Sequence, residues 1–295
     1  MKKVLTIFTP TYNRAYILPN LYESLCKEPT DAFIWLIVDD GSTDNTQEFV
    51  ERWQRESKLE IIYHKQSNGG KMRAHNKGVQ LCTTQLFFCI DSDDQIASGA
   101  ISKILETYQI LIDDEFLSGI AAKKLIINRL SSPNLPNITR STLHGIYKTG
   151  FKGDTSLVFK TSVLREFPFP EIEGEKFVTE GYVYDQIDQK YELLILNEFL
   201  MRCEYREDGY TVNANSLYLK YPKGWALYYS QYYDFYAKAL RDKVKYMGYY
   251  MSMCMIAKVP LWKIVKEAPS ALMCLLSIPV GVKFYKRFTS NRSQE

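Results

Sequence analysis

Two acidic clusters stand where a chain could do chemistry: Asp39-Asp40-Gly41-Ser42-Thr43-Asp44 and Asp91-Ser92-Asp93-Asp94. Each follows an apolar run, Phe33 to Ile37 and Leu86 to Ile90. Such runs read as buried strands of an open α/β sheet, and such sheets bind ligands beyond the carboxyl ends of their strands. In an extended chain, side chains two apart share a face, so Asp91 and Asp93 can approach one site. Hard divalent cations take oxygen ligands, and Mg2+ commonly uses one or two carboxylates plus substrate phosphates. A bare Asp-X-Asp reads first as a solvated turn or helix cap; its place after a buried strand raises the metal reading above that. Asp40 can accept hydrogen bonds from a base imide or a ribose hydroxyl. The same cluster also reads as an acidic helix start. Both readings hold together if Asp44 or Ser42 caps the helix while Asp40 faces a ligand.

A third segment, Asn68-Gly69-Gly70-Lys71-Met72-Arg73-Ala74-His75-Asn76-Lys77-Gly78, joins a loop to a helix start. Its two glycines let backbone approach a ligand closely, and Lys71 and Arg73 add charge suited to a diphosphate. Without a ligand it is simply a basic helix start, and it lacks the spacing of a P-loop. His75 is expected to be structural, and three scattered histidines argue against a zinc site.

The elements that must position these residues alternate. Val4–Phe8 reads as a strand, Ile17–Lys27 as a helix, Phe33–Val38 as a strand, and residues from Ser42 through Trp53 as a capped helix. Leu59–Tyr63, Gly70–Leu81 and Leu86–Ile90 continue as strand, helix and strand, and Ile101, Ile104, Leu105, Tyr108 and Leu111 have helical spacing. This tempo predicts a parallel sheet with right-handed crossovers. Further on, Ile120–Ile127 and Thr155–Lys160 read as strands, and Ser131–Asn137 and Pro168–Gly174 as loops. Ile195–Tyr205 is apolar, and a polar stretch, Arg206–Gly209, follows it. Ten of the 22 tyrosines fall between 218 and 250, and Trp225, Tyr228, Tyr229, Tyr232, Tyr233 and Tyr236 recur at helical spacing. An aromatic helix packed on the main domain explains this stripe better than a ligand box.

The 295 residues suffice for one large α/β domain with an extension. Residues 258–295 carry seven Lys/Arg and two Glu, whereas the remainder carries 30 Lys/Arg and 32 Asp/Glu, so the basic excess belongs to the tail. Six scattered cysteines without a CxxC pair predict reduced thiols in a cytosolic protein. The apolar start breaks at Thr9-Pro10-Thr11 and reads as a first strand, not a signal peptide. No apolar run reaches membrane-spanning length.

Four segments in order, Thr9-Pro10-Thr11-Tyr12-Asn13-Arg14, Val38–Asp44, Asn68-Gly69-Gly70 with Ala74-X-Asn76-X-Gly78, and Asp91–Asp94, resemble the family 2 glycosyltransferases over residues 1–115. The resemblance implies the GT-A fold, a Rossmann-like and mostly parallel α/β sheet flanked by helices, here with a helical C-terminal extension. It implies an inverting transfer from a nucleoside-diphospho sugar, usually uridine-based, to a glycan or lipid-linked glycan in bacterial surface-polysaccharide assembly. Thr9, Tyr12, Arg14, Asp40, Asn68, Lys71, Arg73 and Asp91 would line the donor nucleotide. Asp93 would hold Mn2+ or Mg2+ with Asp91 or Asp94. Gly174–Gly181 looks like the segment that supplies the catalytic base. Many members have Glu-Asp there; this chain has Glu180-Gly181, so Glu180 is the expected base and Asp185 the reserve. A loop glutamate in a surface ion pair is the plainer reading. The implied division is a catalytic domain at 1–215, with a nucleotide-sugar half at 1–115 and an acceptor half at 116–215, followed by a helical region at 216–295. A metal-dependent nucleotidyltransferase and a non-catalytic sugar-nucleotide-binding protein are the alternatives. Nucleic acid is not an expected partner, and the oligomeric state stays open.

The tail has two readings. Leu261-Trp262-Lys263-Ile264-Val265-Lys266 and Ala271–Val280, with Lys283, Lys286 and Arg287 beyond, suit an interfacial segment on the anionic inner face of the plasma membrane. They equally suit a hydrophobic helix packed on the enzyme or on another subunit. The membrane reading expects a chain ending near Lys258 to stay soluble.

Overall fold

The structure is a computed structural model, and it describes residues 3–127, 133–204 and 214–290. The start of the Ser131–Asn137 loop and the Arg206–Gly209 stretch lie outside the described residues. The chain divides into two compact units, Met1–Pro168 with Gln186–Tyr205, and Phe169–Asp185 with Arg206–Glu295.

The first unit opens with the expected alternation: β1 (Leu5–Thr11), α1 (Leu18–Leu25), β2 (Phe33–Asp39), α2 (Thr46–Glu56), β3 (Ile61–Lys65), α3 (Lys71–Leu81) and β4 (Leu86–Cys89). It continues through β5 (Gln95–Ile96), α4 (Ala100–Glu106), α5 (Tyr108–Asp113), β6 (Leu117–Ile126), β7 (Arg140–Ser141), α6 (Leu143–Lys148), β8 (Thr155–Lys160) and α7 (Thr161–Glu166). Helix α8 (Gly181–Ile187), whose first five residues count with the second unit, leads into β9 (Glu192–Cys203). The strands run in the order β3-β2-β1-β4-β8-β6-β9-β5, with β7 beside β9. Strands β3, β2, β1 and β4 pair in parallel, as expected of runs apolar on both faces. Beyond β4 the sheet is mixed. Strand β8 enters antiparallel between β4 and β6, and β6 pairs β9 in parallel.

Every residue of β1 and β2 is buried. Leu18, Leu21, Tyr22 and Leu25 of α1 and Val50 and Trp53 of α2 face inward. Tyr22 stacks on Trp53 at 4.3 Å and Trp35 lies 5.8 Å from Trp53, so strand and helices share one aromatic cluster. Each such side chain, fully buried, contributes about 1.5–3 kcal/mol. Edge strand β3 starts two residues later than its apolar run, pairing Trp35 with Ile61 and Asp39 with Lys65. A half-buried edge does not fix register strongly. The helical spacing from Ile101 to Leu111 is broken at Thr107, whose hydroxyl bonds to Ile104 O at 2.8 Å and ends α4.

The second unit holds the 169–185 segment, α9 (Ala214–Lys220), α10 (Pro222–Tyr236), α11 (Leu240–Ile256), α12 (Leu261–Glu267), α13 (Ala271–Leu276) and α14 (Ile278–Ser290). The sequence division places 169–185 with the sheet; here it groups with the helices. Glu175 accepts the N–H groups of Lys223 and Gly224, each at 2.7 Å, at the start of α10, and Gln231 donates to Tyr182 O at 2.8 Å. The aromatic stripe of α10 is core within this unit. Tyr232 lies 4.3 Å from Tyr246, and Tyr229 lies 4.9 Å from Tyr249, which stacks on Phe284 at 4.1 Å. Gly248 lets α14 approach α11, because a Cβ there would lie 2.7 Å from Val280. The tail is therefore integral to this unit through α14 and through buried Ile264 and Cys274, contrary to a dispensable segment after Lys258. No helix among the described residues is long and apolar enough to cross a membrane.

Candidate active site

The four sequence segments meet at the carboxyl ends of β1, β2 and β4. Beyond β1, Asn13 sits at φ +52°. Its amide accepts from Thr43 N at 2.8 Å, and its own N–H donates to Ser42 Oγ at 2.9 Å. Asp44 accepts from Ala15 N at 2.9 Å and from the N–H and hydroxyl of Thr46 at 3.1 and 2.6 Å. Neither expected cap takes the cap position of α2, which is Asn45; Asp44, one residue earlier, bonds the first helical N–H, and Ser42 serves the β1 loop. Burial opposes the charge of Asp44, but the Thr46 hydroxyl and the backbone donors overcome it and hold the carboxyl below its usual range.

Asp39 accepts from Ser42 N at 2.7 Å and from the Tyr63 hydroxyl at 2.6 Å. Asp40 is buried and points into the glycine loop. It accepts from Gln66 Nε2 at 2.8 Å, Gly69 N at 2.9 Å and Gly70 N at 2.7 Å. Three of its roughly four lone-pair sites are thereby engaged, so Asp40 builds the loop first and has capacity for one further donor. Gly41, at φ +86°, brings this turn against Asn68, whose N would lie 3.0 Å from an added Cβ. Gly70, at φ +94°, turns the loop into α3, and the Arg73 stem lies over Gly69. Lys71 then reaches Asp91, 2.8 Å away.

Around the Asp91–Asp94 turn the charges alternate. Desolvation works against Asp91, but Lys71, with Lys124, holds its carboxyl below the usual range. Burial and then the charge of Asp91 push Asp93 up, with Arg14 partly offsetting them. Asp94 is buried 2.8 Å from Lys124 of β6, and burial raises it to about 6 despite that lysine. Burial disfavours the Lys124 ammonium, yet Asp94 and Asp91 more than compensate and keep it charged. Sequence reasoning missed Lys124; the available signal was a Lys pair inside an otherwise apolar strand. Among the described residues no three His, Cys, Asp or Glu side chains form a ready-made metal cage. One or two carboxylates of this turn fit a hard cation whose other ligands are phosphate oxygens and water.

The expected residues differ in placement. Arg14, Asp40, Asn68, Lys71, Arg73, Asp91, Asp93 and Asp94 are brought together by the contacts above, and Tyr12 is exposed beyond β1. Thr9 does not line an open site. It is wholly buried inside β1, and its hydroxyl accepts from Trp35 Nε1 at 3.0 Å. His75 packs edge-on to Phe8 and Phe87. Glu180 and Asp185 belong to the second unit. Glu180 is half-buried before α8, and its carbonyl accepts the N–H groups of Val183 and Tyr184. Asp185 is buried, and its charge helps hold the Tyr228 and Tyr232 hydroxyls protonated, after burial itself.

Residues 6–129 match the family model for glycosyl transferase family 2. Over 109 residues the chain is 26% identical to the glycosyltransferase GlyG of Streptococcus pneumoniae, a match covering 37% of this chain and 36% of that protein. Over 227 residues it is 24% identical to the GalNAc(5)-diNAcBac-PP-undecaprenol beta-1,3-glucosyltransferase of Campylobacter jejuni, covering 74% and 71%. In fold it is similar to Staphylococcus aureus TarS 1–349 in complex with UDP-GlcNAc, with TM-score 0.60, 16% identity and coverage of 99% and 92%. It is also similar to the mannosyltransferase PcManGT of Pyrobaculum calidifontis in complex with GDP-Man and Mn2+, with TM-score 0.56, 16% identity and coverage of 98% and 83%.

Proposed function

We propose, from the match of residues 6–129 to the family model for glycosyl transferase family 2, that this chain moves a sugar from a nucleoside-diphospho sugar to a hydroxyl of a glycan or lipid-linked glycan. The observation that carries this is the convergence of an acidic turn, a glycine loop and Lys71 at one end of a parallel sheet. The donor is a uridine diphosphate sugar, in keeping with the UDP-GlcNAc bound by the TarS neighbour. The setting is assembly of a bacterial surface polysaccharide on the cytoplasmic side.

In this reading the free lone pair of Asp40 takes one N–H of the base, and Asn68 and Tyr12 flank the nucleoside. Lys71, Arg73 and Arg14 face the diphosphate and stabilise the charge that grows on it as the glycosidic C–O bond breaks. Asp93, with Asp91 or Asp94, would hold a divalent cation that neutralises the diphosphate further. Lys124 keeps Asp94 in place. Glu180 takes the proton of the acceptor hydroxyl. That oxygen forms the new bond to the anomeric carbon from the face opposite the leaving group, which departs with the bonding electrons, so configuration inverts. Glu180 suits this role better than Asp185, which is buried next to the Tyr228 and Tyr232 rings.

The test is calorimetry with uridine diphosphate, with Mn2+ and under chelator, together with product analysis on a sugar-nucleotide panel. Tight binding only with the cation, its loss in Asp93→Asn with an unchanged melting temperature, and release of nucleoside diphosphate are expected. Pyrophosphate release from a nucleoside triphosphate would make the protein a nucleotidyltransferase. Binding without consumption of donor in the presence of acceptors would leave it a binding protein.

A further inference from the structure

The second unit carries an apolar face that its own core does not use. In α13, Cys274 is buried among the helices, while Leu272, Leu275 and Leu276 are 68%, 52% and 59% exposed. Helix α12 packs beside α13. Its Ile264 is buried, while Leu261 and Trp262 are 53% and 67% exposed. A monomeric soluble protein scatters its exposed apolar side chains singly; here five large ones fall on two adjoining short helices. Helix α13 has no charged residue.

Charge indicates what covers this face. Lys263 and Lys266 share the exposed side of α12 with Trp262, and Lys258, Lys283, Lys286 and Arg287 are exposed on the neighbouring segments. Glu267, paired with Lys263 at 3.7 Å, is the one acidic residue among described positions 258–290. Leucines that dip below a headgroup layer, a tryptophan at its level and lysines around them complement an anionic lipid surface. A second copy of the same face would set lysine against lysine.

We infer that α12 and α13 form a membrane-docking face that seats the protein on an anionic bilayer, Trp262 at the interface and Leu272, Leu275 and Leu276 in the acyl boundary. The inference stands independently of the transfer chemistry. It is tested on the full chain by co-sedimentation with phosphatidylglycerol-containing and pure phosphatidylcholine vesicles. Binding to the anionic vesicles, weakened by high salt, is expected, with little on the neutral ones. Leu272→Glu/Leu276→Glu should bind about tenfold less or worse while melting temperature and uridine diphosphate affinity stay as in the parent. Brominated acyl chains should quench fluorescence that disappears in Trp262→Phe. Three results would overturn the inference: no sedimentation of the parent with anionic vesicles, equal sedimentation of the double variant, or a parent dimer in vesicle-free buffer that the double variant converts to monomer. The last would assign the face to a second copy.

Discussion

Asp40 and Asp44 show how carboxylates at strand ends divide their labour. Asp40 binds the glycine loop, and Asp44 staples the β1 loop to α2. Because the Asp44 carboxyl is held below its usual range, the unfolded chain takes up its proton first as pH falls. Its contribution is complete above the ordinary carboxylate range and is lost as pH drops through that range toward the folded value. Asp44→Asn removes the charge and one of the two accepting oxygens that serve Ala15 and Thr46, so it should lower the melting temperature near neutrality, with the gap to the parent narrowing by about pH 3. Thermal melts of both proteins at the two pH values read this directly, and a gap that widened in acid would remove charge from the explanation. Glu180 is tested by near-isosteric replacement. Glu180→Gln cannot accept a proton, so transfer should fall by roughly 10²-fold or more with donor affinity retained. If Asp185→Asn loses transfer and Glu180→Gln does not, the base is Asp185.

Elements hold these residues through close packing. Gly78 lies where α3 crosses β1, and an added Cβ would meet Phe8 Cε2 at 2.3 Å. Phe8 is itself stacked on Phe87 at 4.9 Å and edge-on to His75, so it has no free direction in which to yield. Gly78→Leu should destabilise the fold by about 1–3 kcal/mol or more. Displacing α3 would also move Lys71 and Arg73, so nucleotide affinity should drop although Gly78 itself is no part of the proposed donor site. Denaturant melts with parallel calorimetry measure both; full stability in the variant would mean that α3 does not need this approach. The pattern Ala74-X-Asn76-X-Gly78 thus has a packing origin at its last position.

At the scale of the molecule, the second unit depends on its tail. Ile264, Cys274 and the α14 contacts to Gly248, Met251 and Tyr249 belong to one core. A chain ending at Lys258 should expose that core. Limited proteolysis should then cut within residues 214–258, while residues 3–127, whose core lies in the sheet, stay protected. Equal protection of both regions in the shortened chain would show that α12–α14 are an accessory to the unit.

Local order in the sequence was enough for the strand–helix alternation of the first unit and for the two acidic turns, because a strand apolar on both faces must be covered on both. It located Asp91, Asp93, Lys71 and the glycine loop for the same reason: each follows or begins an element whose type its neighbours specify. Thr9 was misjudged because adjacency to a loop does not say which face a strand residue presents; Trp35, on the next strand, decided that. The Lys pair in the apolar run of β6 marks Lys124 as unusual but does not name its partner, because Asp94 is thirty residues away and the pair exists only once β6 lies in the sheet. The insertion of β8 between β4 and β6, the two-residue strands β5 and β7, and the grouping of Phe169–Asp185 with the helices likewise came from the tertiary structure alone. Periodicity reports what an element must bury, but the identity of the partner that buries it depends on contacts between distant residues.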